Sequence, residues 1–335
     1  YVEVAFSNAC NFKCSYCGPA FSSTWMEEIN QHGGYKTTTG FNDPLGLQSE
    51  SKVPIPHRED NPYVDAFWKW WPDLYQDLHT FRITGGEPLL SRDTFKVLDY
   101  IIEHPNPNRN LGGPKQLIDK FLEKMKRIED EGRVREFIIF TSVDGWGEQA
   151  EYPRHGLDFN YFWDNCHKVL TELQRCNLTF MSTYNALSVP SYKKLIEGVY
   201  QLKEEYSSPD RYWNSATFLD SSYLRYPQHQ TVQVLPMEWS KEILQQAQLL
   251  DFYALPVFEH MYTGYSDIEI QKVKRIYDWM ISRNMSELRD DEALKRNRHD
   301  FGVFFKEHDR RRGTDFCKVY PEFADFYHKC LEIKL

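Results

Sequence analysis

The chain has 335 residues, of which 41% are hydrophobic and 27% charged, and it carries a net charge of −9 with a pI near 5.7. This composition excludes a disordered chain, and the acidic balance argues against a nucleic-acid coat, which needs a basic face. No window approaches the roughly 18 uninterrupted apolar residues that mark a membrane-spanning helix, so neither a membrane nor a nucleic acid is an expected partner.

Residues 2–6 alternate apolar and polar, as a strand does, and lead at once into a cysteine loop. The start at Tyr1 rather than Met, already inside a strand, is read as the loss of a natural N-terminal segment. Residues 18–62 are rich in Gly, Pro, Ser, Thr and Asn around one helical patch at 23–31. They read as a long loop insertion, long enough to cover a pocket. Residues 63–78 form an aromatic helix whose stripe (Tyr63, Phe67, Trp68, Trp70, Trp71, Leu74) is expected to pack on a core. A strand over 79–84 ends in Gly85-Gly86-Glu87-Pro88. Ser91 or Asp93 caps the next helix, which His104-Pro105 stops.

No apolar run of four or more occurs in 105–115, so a strand there is expected to be missing or irregular. An amphipathic helix spans 114–131, and a buried strand covers 136–144. A helix over 159–176, a strand over 178–184 and a helix over 190–205 follow. Strand-like runs come next at 215–219 and 231–235. From Ser240 the pattern is helical, with helices at 240–253 and 266–283. The basic run Arg310-Arg311-Arg312 reads as a solvated helix end.

Strand and helix in alternation predict parallel strands joined by crossover helices, an α/β fold. The polar signals sit where strands end: Cys10 after the first, Glu87 after the second, Asp144 after a later one. In α/β barrels the chemistry lies at that C-terminal rim.

Cys10, Cys14 and Cys17 follow the spacing C-x3-C-x2-C. Zinc modules usually bring cysteines in pairs. Three thiolates on one loop with no obvious fourth suit an iron–sulfur cluster, which takes soft ligands. In a cubane, three protein thiolates leave one iron open to bind a small molecule and pass it an electron. A zinc or structural iron site is the alternative.

On these residues the chain resembles the radical S-adenosylmethionine (SAM) enzymes. Their C-x3-C-Φ-C mark has an aromatic before the third cysteine, here Tyr16, and their Gly-Gly-Glu mark is Gly85-Gly86-Glu87. The wording of residues 10–25 and 144–159 is similar to the members that carry a truncated auxiliary-cluster domain called twitch, found in environmental bacteria and phages. The resemblance implies a partial (β/α)6 TIM-like barrel over 1–236 with a helical C-terminal extension over 237–335. It implies that Cys10, Cys14 and Cys17 bind a [4Fe–4S] cluster and that the open iron chelates SAM. Tyr16 would lie near the adenine, and Gly85 and Gly86 would let backbone approach the methionine ammonium. Glu87 would add negative charge or order its loop. Ser142 and Asp144 would touch the ribose or the methionine carboxylate, with Asn185 a further contact of that kind. Asp144-Gly145 reads equally as a plain turn.

The implied activity is reductive cleavage of SAM to a 5′-deoxyadenosyl radical, which abstracts hydrogen from substrate. The substrate class implied is a peptide or protein side chain. A nucleotide, sugar or other small metabolite is the second possibility, and a non-catalytic metal-binding protein the third. A one-electron donor such as flavodoxin or ferredoxin is the implied partner. The other four cysteines, Cys166, Cys176, Cys317 and Cys330, show no Cys-x2-Cys pair and read as structural or free thiols. An auxiliary twitch module would then lie before Tyr1. The odd cysteine count and the clustered three point to a reducing cytoplasm.

Overall fold

In the computed structural model, which describes all residues except 50–52, 57, 105–109, 113–117, 210, 212–213, 255–262 and 284–287, six strands form one parallel sheet. They are β1 Val2–Ala5, β2 Thr80–Thr84, β3 Asn110–Gly112, β4 Glu136–Ser142, β5 Cys176–Tyr184 and β6 Thr217–Tyr223. Their order across the sheet is their order along the chain, so each strand pairs with its predecessor. The fold is mixed α/β, and among the described residues β1 and β6 end the strand order.

The longer helices follow in chain order: α1 Ser23–His32, α2 Pro62–Asp77, α3 Arg92–Glu103, α4 Ile118–Asp130, α5 Phe159–Glu172, α6 Tyr192–Tyr206, α7 Ser240–Phe252, α8 Asp267–Ile281, α9 Asp291–Arg312 and α10 Ala324–Glu332. Side-chain caps set several of their starts. Ser22, Asn61, Ser91, Asp158 and Asp290 each accept a backbone N–H of the first turn. Apolar faces are buried as the periodicity requires, for example Phe95, Leu98, Ile101 and Ile102 of α3 and Phe121, Leu122, Met125 and Ile128 of α4.

Three expectations change. The missing third strand exists: β3 is three residues long and pairs with β2 (Phe81 with Leu111) and β4 (Leu111 with Phe137). Backbone pairing on both sides needs no long apolar run. The start of the next helix at Pro114 lies outside the described residues. Residues 231–235 are not a strand. Thr231, Val232, Val234 and Leu235 are buried, but the backbone bonds locally in a 3₁₀ turn, Val232–Val234, and Pro236 follows. Cys176 does not end a helix; it opens β5.

The C-terminal helices pack onto the sheet unit at several places. Helix α8 covers β6, where Lys203 of α6 pairs with Glu269 of α8 at 3.1 Å, both buried. Lys203 Nζ also donates to the Thr217 carbonyl of β6 at 2.8 Å, and Glu269 accepts the Leu219 N–H at 2.8 Å. Burial pulls the Lys203 pKa down, and Glu269 opposes that shift. Helix α9 instead meets the segment after the cysteines. Thr38 donates its N–H (2.7 Å) and its hydroxyl (2.8 Å) to Asp300, and Tyr35 stacks on Phe304 with ring centroids 4.5 Å apart.

Removing one partner of a buried ion pair strands the other charge. Lys203→Met is expected to cost about 3–5 kcal/mol in urea unfolding, whereas the double change Lys203→Met with Glu269→Gln should recover part of the loss. Loss below 1 kcal/mol in the single variant would show that the pair does not tie α6 and α8 to β6.

Candidate functional site

All six strands run the same way, so their C-terminal ends share one rim, and the sequence signals at those ends converge. Cys10, Cys14, Tyr16, Cys17, Gly85, Gly86, Glu87 and Ser142 all line a single cavity of about 460 Å³. Its other walls come from β2 (Arg82, Thr84), β4 (Phe140), β5 (Met181, Thr183) and the stretch from Arg154 to Asn165. Phe21 and Tyr161, 68% and 59% exposed, flank the mouth.

The cysteine loop is held from several sides. Cys14 and Lys13 form a two-residue antiparallel ladder with Arg154 and His155. Ser15 donates its N–H to the Pro153 carbonyl at 2.7 Å and its hydroxyl to Gln230 at 2.8 Å, while Gln230 donates back to the Ser15 carbonyl at 3.0 Å. The Trp25 indole donates to the Cys14 carbonyl at 2.9 Å. Ser22 and Thr24 donate to the Phe12 carbonyl, and Asn42 donates to the Cys17 carbonyl at 3.1 Å. Of the described residues among 18–62, only Phe21 lines the cavity. The described part of the long insertion braces the cysteine loop through Ser22, Thr24, Trp25 and Asn42.

The Gly-Gly pair is required by that loop. Gly85 has φ of +125°, and a Cβ there would sit 2.6 Å from the Ser7 carbonyl oxygen. At Gly86 a Cβ would sit 2.4 Å from the Ala9 oxygen and 2.8 Å from the Asn8 oxygen. The backbone leading into Cys10 occupies the space a side chain would need. Glu87 donates its N–H to the Ala9 carbonyl at 2.6 Å, and its carboxylate accepts the Leu89 N–H at 3.3 Å. It thus orders the turn while lining the cavity.

Two of the expected residues, Asp144 and Asn185, are not among those that line this cavity. Asp144 is fully buried and does not line the cavity. Its carboxylate accepts from Arg154 Nε (2.8 Å), Arg154 Nη2 (3.1 Å), the Tyr16 hydroxyl (2.5 Å) and the Thr183 N–H (2.8 Å). A buried carboxylate takes such partners because unpaired burial is costly. Asn185 is also buried outside the cavity wall. Its side chain caps the turn Ala186–Ser188, accepting the Leu187 N–H at 2.9 Å.

Arg154 is the main residue that sequence reasoning missed. It is 7% exposed, and its Nη1 lies 3.6 Å from the Cys14 sulfur. The basic run at the end of α9 was also misread. Arg310 is exposed, but Arg311 and Arg312 are 2% and 0% exposed and enter the region behind the loop. Arg311 lies over the Tyr35 ring and Arg312 over the Trp25 ring, both near Glu28.

Burial pushes the Cys10 thiol up to about 11 and the Cys17 thiol up to about 12. Burial also raises Cys14, against the pull of Arg154. Metal-free, these groups are thiols at neutral pH, so loading a metal group releases protons. Among the described residues, no three His, Cys, Asp or Glu side chains are gathered closely enough for one metal ion. Cys166, Cys176 and Cys330 are buried and Cys317 is partly buried, none of them in a disulfide. No helix of the described residues is long and apolar enough to cross a membrane. No family model matches the chain, and no curated protein matches it.

Gly86→Ala should lower stability by about 1–3 kcal/mol by overpacking, while Gly46→Ala, with nothing within 4 Å of the new carbon, should leave the urea midpoint near wild type. Equal midpoints for the two would remove the close-approach requirement. His229, fully buried next to Gln230, is pushed down to about 3 by burial alone. The unfolded chain takes up that proton near pH 6.5 and the folded chain does not. The contribution of His229 to stability is therefore complete above pH 6.5 and falls as the pH drops toward 3. His229→Gln should flatten the loss of thermal midpoint measured between pH 7 and pH 5; an unchanged slope would exclude His229 as its source.

Proposed function

We propose that the chain is a radical SAM enzyme whose sheet is a partial (β/α)6 TIM-like barrel, with Cys10, Cys14 and Cys17 as the ligands of a [4Fe–4S] cluster. The observation that carries this reading is the sharing of one cavity, at one strand rim, by three thiols, the preceding aromatic Tyr16 and the Gly85-Gly86-Glu87 turn. The donor set fits the group: three soft thiols and no fourth protein ligand at the loop. With the cluster and SAM bound, the group supplies a 5′-deoxyadenosyl radical that removes a hydrogen atom from substrate.

The chain's own residues do the rest. Gly85 and Gly86 keep the turn against Ser7, Asn8 and Ala9, so the first cysteine and the Glu87 turn stay in register. Tyr16 is fixed through Asp144, and its ring forms part of the wall. Ser142, Thr183 and Glu87 offer polar groups toward SAM, while Phe140, Met181, Phe162 and Leu157 exclude water. The substrate in this reading is a side chain of a peptide or protein. The exposed aromatics Phe21 and Tyr161 at the mouth suit a group presented by a larger molecule. A low-potential one-electron donor of the flavodoxin or ferredoxin kind completes the system.

Anaerobic reconstitution with iron and sulfide, reduction and addition of SAM should yield 5′-deoxyadenosine in chromatography. Cys14→Ala should lower the yield at least a hundredfold. Wild-type protein that takes up no iron–sulfur cluster would overturn the proposal.

A further inference from the structure

The strongest unassigned feature is the asymmetry among the three thiols. The Cys14 sulfur has a guanidinium against it, Arg154 Nη1 at 3.6 Å. The Cys10 sulfur has neutral partners, the Phe12 N–H at 3.4 Å and the Ser22 side chain, and the Cys17 sulfur lies 3.9 Å from the Gly18 carbonyl. Chance contact does not account for the Arg154 position. The ladder pairs Cys14 directly with Arg154, and Asp144 grips the guanidinium through Nε and Nη2, leaving Nη1 toward sulfur. Asp144 is itself fixed by the Tyr16 hydroxyl and the Thr183 N–H. The guanidinium is therefore oriented before any cofactor arrives, in a site shielded from water.

We propose that Arg154 is a positioning residue that sets the reduction potential of the metal group at Cys14, and that Asp144 opposes it as counter-charge. This rests on the cluster reading above. One electron passes from the low-potential donor, which is oxidised, to the cluster, which gains one negative charge; no bond forms or breaks. A buried N–H donor and positive charge beside a ligating sulfur favour the more negative form and raise the potential. Low local dielectric magnifies both charges. Arg154 and Asp144 carry opposite charge, so their removal should shift the potential in opposite directions. A merely structural pair would give the same direction for both, or no shift.

The test is a redox titration of the reconstituted protein without SAM, reduced stepwise with dithionite and followed by the electron paramagnetic resonance signal of the reduced cluster. Arg154→Met should lower the reduced-to-oxidised ratio at a fixed potential about tenfold, a midpoint lower by about 59 mV for one electron. Arg154→Lys keeps the charge and should recover most of the shift. Asp144→Asn should raise the midpoint. Unchanged midpoints, or a downward shift in Asp144→Asn, overturn the proposal even when iron and sulfide contents match wild type. If Arg154→Met does not load a cluster, the sign of the Asp144→Asn shift decides alone. Absence of a cluster in the wild-type protein overturns the cluster reading itself, and this inference with it.

Discussion

The buried ion pair between Arg154 and Asp144 is the constraint on which the site depends. Together with the Tyr16 hydroxyl and the Cys14–Arg154 ladder, it ties the end of β4 to the cysteine loop. A buried pair seldom adds much net stability, because both charges leave water. Its value here is geometric. Asp144 takes two bonds from Arg154, one from Tyr16 and one from the β5 backbone, so three elements share one carboxylate. The loop carrying the thiols cannot shift relative to the strand ends without breaking that arrangement.

Around this centre the molecule surrounds a short loop with bonds to its backbone. Trp25, Gln230, Asn42, Ser22 and Thr24 all satisfy carbonyls of residues 12–17. Such carbonyls would be costly if buried and unpaired. The long segment after Cys17 and the C-terminal helix α9 thereby acquire a shared purpose. They interlock with each other through Asp300, Tyr35 and Arg311, and their joint surface supports the loop from the side opposite the cavity.

The electrostatics point the same way. The side chains of Arg154, Arg311 and Arg312 are all buried near the loop, paired with the carboxylates of Asp144, Glu28 and Glu307. In the cluster reading, three thiolates would bring negative charge into a region where burial is the largest cause raising each thiol's pKa. Positive side chains already in place reduce the cost of that charge.

The sequence by itself determined the parts set by local chemistry: the alternation of strand and helix, the helix caps and apolar faces, and the cysteine spacing. These were legible because each depends on neighbours within a few residues. The tertiary structure alone decided the rest. The strand β3 pairs through its backbone with a neighbour on each side, and 231–235, apolar enough for a strand, is buried in a local turn. Arg154 reaches Cys14 across 140 positions of chain, Gln230 reaches Ser15 across 215, and Arg312 ends a helix that a charge count reads as solvated. No periodicity or motif encodes such pairings, because they exist only once the strand ends have been brought to a common rim.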